Sequence, residues 1–344
     1  MENTPYLSIC IPSYNGARFL ERVLEALLPQ TLEANGQVEV IVIDDDSTDN
    51  TGEVVENVRK HGPVRYIRNP TNLGIARNIV SGPVQHASGE YVWVWSEHCL
   101  IFPGALRKIL QLLSIRRRLD VIYVNFRCAS YPQDWPAAAL GGYAGSYQYI
   151  GNDRIADRDV ARWDELISAK SGACTQSYAH IARRSVWRKY WTGREIGPDL
   201  TGVLTTFPHT CTVAETNFDK PTYYFGEPVL TIYNGAQRWS SLDSRAKAFL
   251  QGFPELVVLY ERLGCSKSAL VECKAFAVSQ VEEITRDLLK NWDRQTAKLL
   301  VQSVRENWRF EGIATAVWRG FVASECCWPA RMLSRLGRLI HRTR

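Results

Sequence analysis

Three short segments carry the residues most able to do chemistry, and each follows directly on an apolar run. They are Pro12-Ser13-Tyr14-Asn15, Asp44-Asp45-Asp46-Ser47 and Ser96-Glu97-His98. Together they offer a phenol ring, an amide, several carboxylates and an imidazole. That set suits a nucleotide. The Tyr14 ring can stack on a base, and the carboxylate of Asp44 or Asp45 can accept from a ring N–H. Glu97 and His98 can hold a divalent cation on a diphosphate; an imidazole beside a carboxylate suits Mn²⁺ or another transition ion better than Mg²⁺. The residues alone leave other readings open. Asp44 to Asp46 would also serve as a helix-entry cluster worth about 0.3–1 kcal/mol, and Tyr14 as a core ring.

The elements that must position these segments are legible from the apolar pattern. Leu7 to Pro12 reads as a buried strand stopped by Pro12, and Arg18 to Leu28 as an amphipathic helix. Val38 to Ile43 is a second strand; Ser47-Thr48-Asp49 starts a helix that continues through Val58. Val64 to Ile67 and Glu90 to Trp95 are further strands, with a loop and helix over Asn72 to His86 between them. Another helix opens at Pro103-Gly104, and Val121 to Phe126 is a strand. Alternating strands and helices imply an α/β fold with a mostly parallel, buried sheet, whose ligands bind outside the carboxyl ends of the strands. Residues 129–152 read as a long Gly/Ala/Tyr/Pro-rich loop. From Ser244 the pattern is helical, over Lys247 to Leu263, Leu270 to Lys290 and Gln295 to Phe310, with a soft boundary at Tyr233–Ser244.

Composition excludes several classes. With 45% hydrophobic and 22% charged residues in 344, disorder is not the dominant state. The net charge of +5 is local: the last fourteen residues hold Arg331, Arg335, Arg338, Arg342 and Arg344 and no acid. The rest is formally neutral, which argues against a nucleic-acid protein with a broad basic face. The nine cysteines form no CxxC and no Cys/His zinc spacing, so they read as reduced thiols of a cytosolic chain. The N-terminus lacks the basic start of a secretory signal, and no stretch reaches the roughly 18 apolar residues of a membrane span.

Four motifs in order carry a family resemblance: Ile9 to Asn15, Val42 to Thr51 (VIDDDSTDNT), Asn72 to Asn78 (NLGIARN) and Gly89 to Val92. The chain resembles the family 2 inverting glycosyltransferases with the GT-A fold, clearly over about residues 5–110 and more faintly to about 240. The resemblance implies a glycosyltransferase domain over 1–240, with a nucleotide-binding half (1–110) and an acceptor half (111–240), and a helical C-terminal region over 241–344. It implies that Pro12 and Tyr14 line the base pocket, that Asn15 is among the residues binding the sugar nucleotide, that Asp45 accepts from the base with Asp44 in support, and that Asn72, Arg77 and Asn78 approach the nucleotide and its phosphates.

One departure concerns the metal. The family places Asp-x-Asp after the fourth strand; here the segment is Ser96-Glu97-His98, so His98 falls at the metal-ligand position with Glu97 beside it. Mn²⁺ or Mg²⁺ held there, a metal-independent enzyme using Arg77 or Arg238, and a catalytically silent nucleotide-sugar-binding or scaffold protein of a glycan-assembly complex all follow as readings. His209 is a conceivable second ligand, although an ordinary loop or core histidine is the simpler reading. The family's general base sits at a helix start after the middle segment. The best match is Gly197 to Gly202, which makes Asp199 the base, with Asp153, Asp157, Asp159 and Asp164 in reserve. Gly172 to Gln176 and Ile181 to Ser185 resemble the acceptor-side strand and turn. Residues 234–240 (NGAQRWS) lack the QxxRW pattern of processive synthases and resemble a Trp-Ser segment of abequosyltransferase-like enzymes; Arg238 would contact the diphosphate and Trp239 the acceptor.

Met332, Leu333, Leu336, Leu339 and Ile340 share one face of a final helix whose other face holds the arginines. This reads as a basic amphipathic helix on an anionic membrane surface; a docked helix with solvated arginines is the plainer reading. The expected activity is transfer of one sugar from a nucleoside-diphosphate sugar, UDP-linked as first guess, to a lipid-linked O-antigen or surface-polysaccharide intermediate. The expected location is the inner face of the cell membrane, with no nucleic-acid partner.

Overall fold

The structure is a computed structural model that describes residues 4–130, 149–151, 155–197, 200, 202–234, 241–291, 293–306, 312, 315–317 and 319–320. Strand β1 (Leu7–Ser13) runs parallel to β2 (Val38–Asp44), with Leu7 opposite Val38 and Ser13 opposite Asp44. Pro12 does not stop β1 as expected. Strand β4 (Tyr91–Val94) pairs only with Leu7 to Cys10, so a residue without an N–H costs no ladder bond on that side. Helix α1 (Ala17–Glu33) buries Phe19, Leu20, Val23, Leu24, Leu27 and Leu28 as one stripe. It continues past Leu28 through Pro29.

Helix α2 (Thr51–Val58) and strand β3 (Val64–Arg68) follow, then α3 (Ile75–Ser81), which widens into a π-turn at Gly82–His86 before β4. Beyond β4 come β5 (Cys99–Ile101), α4 (Ala105–Ile115), β6 (Val121–Val124), β7 (Arg127–Ser130), β8 (Tyr149–Ile150) and β9 (Arg158–Val160). Then come β10 (His180–Arg183), α5 (Arg184–Trp191), α6 (Val203–Thr206), α7 (Pro208–Asn217), β11 (Thr222–Phe225) and β12 (Leu230–Asn234). The main sheet has the order β3-β2-β1-β4-β10-β6-β11-β9, with β1 to β4 all parallel. A small second sheet, β5-β12-β7-β8, stands against it.

The C-terminal helices are α8 (Leu242–Lys247), α9 (Phe253–Leu263), α10 (Lys267–Lys290) and α11 (Arg294–Glu306). The single helix expected over Lys247 to Leu263 is broken by a π-turn at Ala248–Gly252, because Pro254 in the first turn of α9 has no N–H to continue the ladder. The seven cysteines among the described residues are all free and buried, packed as small apolar groups. No helix among the described residues is long and apolar enough to cross a membrane.

Candidate functional site

A cavity of about 500 Å³ opens beyond the carboxyl ends of β1, β2 and β4. Of the expected residues, Pro12, Tyr14, Asp45, Asn72, Asn78, Glu97 and His98 line it. All three chemical segments therefore converge, because parallel strands deliver their ends to one edge of the sheet.

The paired aspartates divide their work. Asp44 is fully buried and does not line the cavity; it accepts from the Ser47 backbone N–H at 2.9 Å, from the Ser47 hydroxyl and from Tyr66. Burial, with the Asp44 carboxylate as the second cause, pushes the Tyr66 phenol up to about 12. Asp44 thus sets the loop, as support for its neighbour. Asp45 lines the cavity. Its Oδ1 accepts from Asn69 Nδ2 and the Leu73 N–H, both at 2.8 Å, and its Oδ2 from the Gly74 N–H at 3.0 Å. A carboxylate offers about four lone-pair directions, so three are taken by the loop and one remains for a donor in the cavity. Gly74 reaches Asp45 at φ 88°, a left-handed conformation that a side chain would strain. In Asp45→Asn, an amide N–H₂ must face one of these three donors. A fall of about 30–100-fold in nucleotide affinity follows, measured by calorimetric titration with UDP; unchanged affinity would remove Asp45 from the base pocket.

Tyr14 stands at the cavity mouth, 37% exposed, as a stacking ring requires. Asn15 does not line the cavity. At φ 51° it holds the second segment instead, its Oδ1 accepting from the N–H groups of Thr48 at 2.6 Å and Asp49 at 3.0 Å. Arg77 also lies away from the cavity lining, with its Nε donating to the Ile196 carbonyl at 2.6 Å. This bond braces the segment leading to residue 199.

Glu97 accepts from the Ser13 hydroxyl at 2.7 Å, which ties the ends of β4 and β1 together. It lies so close to Gly16 that any Cβ there would run into its carboxylate. The His98 ring is buried against Phe19, with Ser96 Oγ 2.8 Å from Nδ1. Burial first, and nearby Arg18 second, push it down to about 3, so it is a neutral lone-pair donor at physiological pH. Among the described residues no three His, Cys, Asp or Glu side chains form a metal-binding group. A carboxylate and a neutral imidazole are donors of the kind a borderline transition ion accepts.

Asp199, Arg238, Trp239, Asp153 and the segment 331–344 lie outside the described residues. The other reserve carboxylates are used structurally, and none lines the cavity. Asp157 accepts from the Gly226 N–H at 2.9 Å, Asp159 pairs with Arg116 at 2.9 Å, and buried Asp164 accepts from the Ser266 N–H at 2.7 Å.

The opposite wall was not expected in detail. It is built from Thr175 to Tyr178, from Phe207 and His209 beside α6 and α7, and from Phe249 and Phe276 of the C-terminal helices. Just before it, Gly172, Ala173 and Cys174 have φ of 65°, 53° and 63° in succession. Ala173 and Cys174 in this region cost on the order of 1–3 kcal/mol each and persist only where their surroundings hold them.

Residues 8–158 match the sequence family described as glycosyl transferase family 2. Among curated relatives, abequosyltransferase RfbV of Salmonella typhimurium is 36% identical over 91 residues, 26% of this chain and 27% of that protein. The uncharacterized glycosyltransferase YibD of Escherichia coli is 26% identical over 191 residues, 55% of this chain and 50% of that protein. The chain thus spans about a quarter to a half of these relatives. Among solved structures, S. aureus TarS 1–349 in complex with UDP-GlcNAc aligns with a TM-score of 0.57 at 14% identity, over 91% of this chain and 81% of that one. At that identity the likeness concerns the fold, which is the GT-A architecture.

Proposed function

We propose, for a chain whose residues 8–158 match glycosyl transferase family 2, that the cavity binds a nucleoside-diphosphate sugar and passes its sugar to an acceptor hydroxyl. The observation that carries this reading is the convergence of Tyr14, Asp45 and Glu97 on one cavity at the strand ends. Tyr14 stacks on the base and the last lone pair of Asp45 accepts its N–H. A UDP-sugar is the first donor to test, supported by the UDP-GlcNAc complex of the similarly folded TarS. The likeness to an abequosyltransferase supports a lipid-linked O-antigen or surface-polysaccharide intermediate as acceptor.

The acceptor oxygen attacks the anomeric carbon from the face opposite the diphosphate. The bond from that carbon to the diphosphate oxygen breaks, its electron pair leaves with the nucleoside diphosphate, and the configuration inverts. Asp199 takes the acceptor proton. Leu200, next in sequence, lines the cavity. Arg238 contacts the diphosphate and Trp239 the acceptor. A divalent ion held by Glu97 and His98 would offset charge on the leaving diphosphate.

The test is release of nucleoside diphosphate from a panel of sugar nucleotides, with Mn²⁺ and with Mg²⁺, in the presence of extracted lipid-linked glycans. Transfer that requires an acceptor supports the reading. Nucleotide binding without release under every condition would mark a silent binding or scaffold protein. Unchanged metal dependence in His98→Ala would remove His98 as a ligand.

The spacing of arginines and apolar residues over 331–344 supports a position on the inner face of the membrane, where enzyme and lipid-linked acceptor meet in two dimensions. Deleting 331–344 then weakens binding to anionic vesicles by roughly 1 kcal/mol per arginine near the surface, while UDP affinity stays unchanged. Full vesicle binding by the truncated chain in a sedimentation assay would refute this placement.

A further inference from the structure

We propose that Gln176 reads a hydroxyl of a pyranose ring in the cavity, held in place by side-chain capture of four consecutive backbone carbonyls. This inference rests on the sugar-nucleotide reading of the cavity and adds a specificity-determining residue to it.

The carbonyls run from Ala173 to Gln176. Ala173 O accepts from the Tyr260 hydroxyl at 3.2 Å and Cys174 O from Thr210 Oγ1 at 3.2 Å. Thr175 O lies 2.6 Å from His209 Nε2, and Gln176 O, which also accepts from the Ala179 N–H at 3.3 Å, lies 3.2 Å from His180 Nδ1. A carbonyl only accepts, so both ring nitrogens carry hydrogen. The donors come from α9, α7 and β10, far apart in sequence. Backbone carbonyls normally find backbone partners. Here side chains from three elements hold a left-handed turn through Ala173 and Cys174, and strain of this kind, once observed, points to a function. The turn delivers Thr175, Gln176, Ser177 and Tyr178 to the cavity wall.

Gln176 has two further marks. Its Nε2 packs where a Cβ on residue 172 would stand, so Gly172 makes room for this amide. Its Oε1 is closed off and has no hydrogen-bond partner among the described residues, which leaves Nε2 as the edge of the amide able to face the cavity. An amide N–H₂ donates, which matches the oxygen lone pairs of a sugar hydroxyl. The Phe249 and Phe276 rings, with centroids 5.8 Å apart, give the same cavity an aromatic wall for the C–H face of a sugar. One polar edge and one apolar face describe a pyranose. The ring belongs either to the donor or to the acceptor terminus.

The experiment compares wild type, Gln176→Ala, Gln176→Leu and Tyr260→Phe. Each is titrated with UDP, GDP, CDP and dTDP and with sugar conjugates of each, and acceptor KM and kcat are measured in the release assay. Tyr260 is a positioning residue: its hydroxyl touches only the turn, and Phe keeps the packing. Free nucleotide affinity should match wild type in all three variants. If the ring is the donor's, the Gln176 variants lose about tenfold in sugar-conjugate affinity; if the acceptor's, acceptor KM rises about tenfold with kcat little changed. Tyr260→Phe shifts the same quantity by a smaller factor. Wild-type sugar-conjugate affinity and acceptor KM in a folded Gln176 variant, or in Tyr260→Phe should both Gln176 variants misfold, would overturn the assignment. A wild-type chain that binds no nucleotide would instead overturn the underlying sugar-nucleotide reading.

Discussion

Asp199→Asn lowers kcat for transfer by about 10²–10⁴ and leaves nucleotide affinity unchanged. An acceptor hydroxyl is a poor nucleophile until its proton has somewhere to go. The carboxamide keeps the size of the carboxylate but cannot take that proton. The segment around residue 199 is braced at both ends by described residues. Arg77 Nε holds the Ile196 carbonyl at 2.6 Å, and Glu255 of α9 accepts from the Val203 N–H at 2.8 Å. The substitution leaves Tyr14 and Asp45 untouched, which is why nucleotide binding should survive. The measurement is steady-state release of nucleoside diphosphate beside calorimetric UDP binding. An unchanged kcat would move the base elsewhere, and His209 on the same cavity would be the next residue to test.

The second large effect is acid lability. His180 and His209 are buried and neutral. Burial is the main cause that pushes His180 down to about 3, with nearby His209 adding to it against the opposing hydrogen bond to Gln176. Burial likewise pushes His209 down to about 4, against its hydrogen bond to Thr175. In the unfolded chain both titrate near 6.5. Above about 6.5 neither state is protonated and stability is at its plateau. Below that, the unfolded chain takes up protons that the folded chain refuses until about pH 4, so stability falls as pH drops through this window. Each histidine then costs roughly 2 kcal/mol by pH 5, or about 4 kcal/mol together, against a total stability on the order of 5–15 kcal/mol. The melting temperature should fall by about 5–6 °C between pH 7 and pH 5. His209→Gln should flatten that slope. A melting temperature level across this range would contradict the neutral, buried assignment of both rings.

The nucleotide half was legible because parallel strands buried on both faces read as short apolar runs, and their ends must meet at one edge. That rule brings the segments holding Tyr14, Asp45 and Glu97 to one edge, and the family resemblance singles out Tyr14 and Asp45 within them. The rest of the site was less visible, for physical reasons. Helix α7 is buried almost all round, with Pro208 to Ala214 inside, so it shows no polar face and no helical period. The second sheet is made of strands of two to five residues whose partners lie far apart in sequence. Gly172 gives the only local hint of a left-handed turn, since Ala173 and Cys174 are forced into it by Tyr260 and Thr210, 87 and 36 residues away. Other roles are visible only in the structure: Arg77 and Asn15 lie in the expected segments and also brace them, through hydrogen bonds to the Ile196 carbonyl and the Thr48 N–H.

Calorimetric titration of the full chain with UDP-, GDP-, CDP- and dTDP-linked sugars, with and without Mn²⁺, tests the central claim most directly. At least one sugar nucleotide should bind at one site per chain, and Asp45→Asn should weaken that binding by about 30–100-fold. A wild-type chain that binds none of them, or an Asp45→Asn chain that binds as tightly as wild type, would contradict the account.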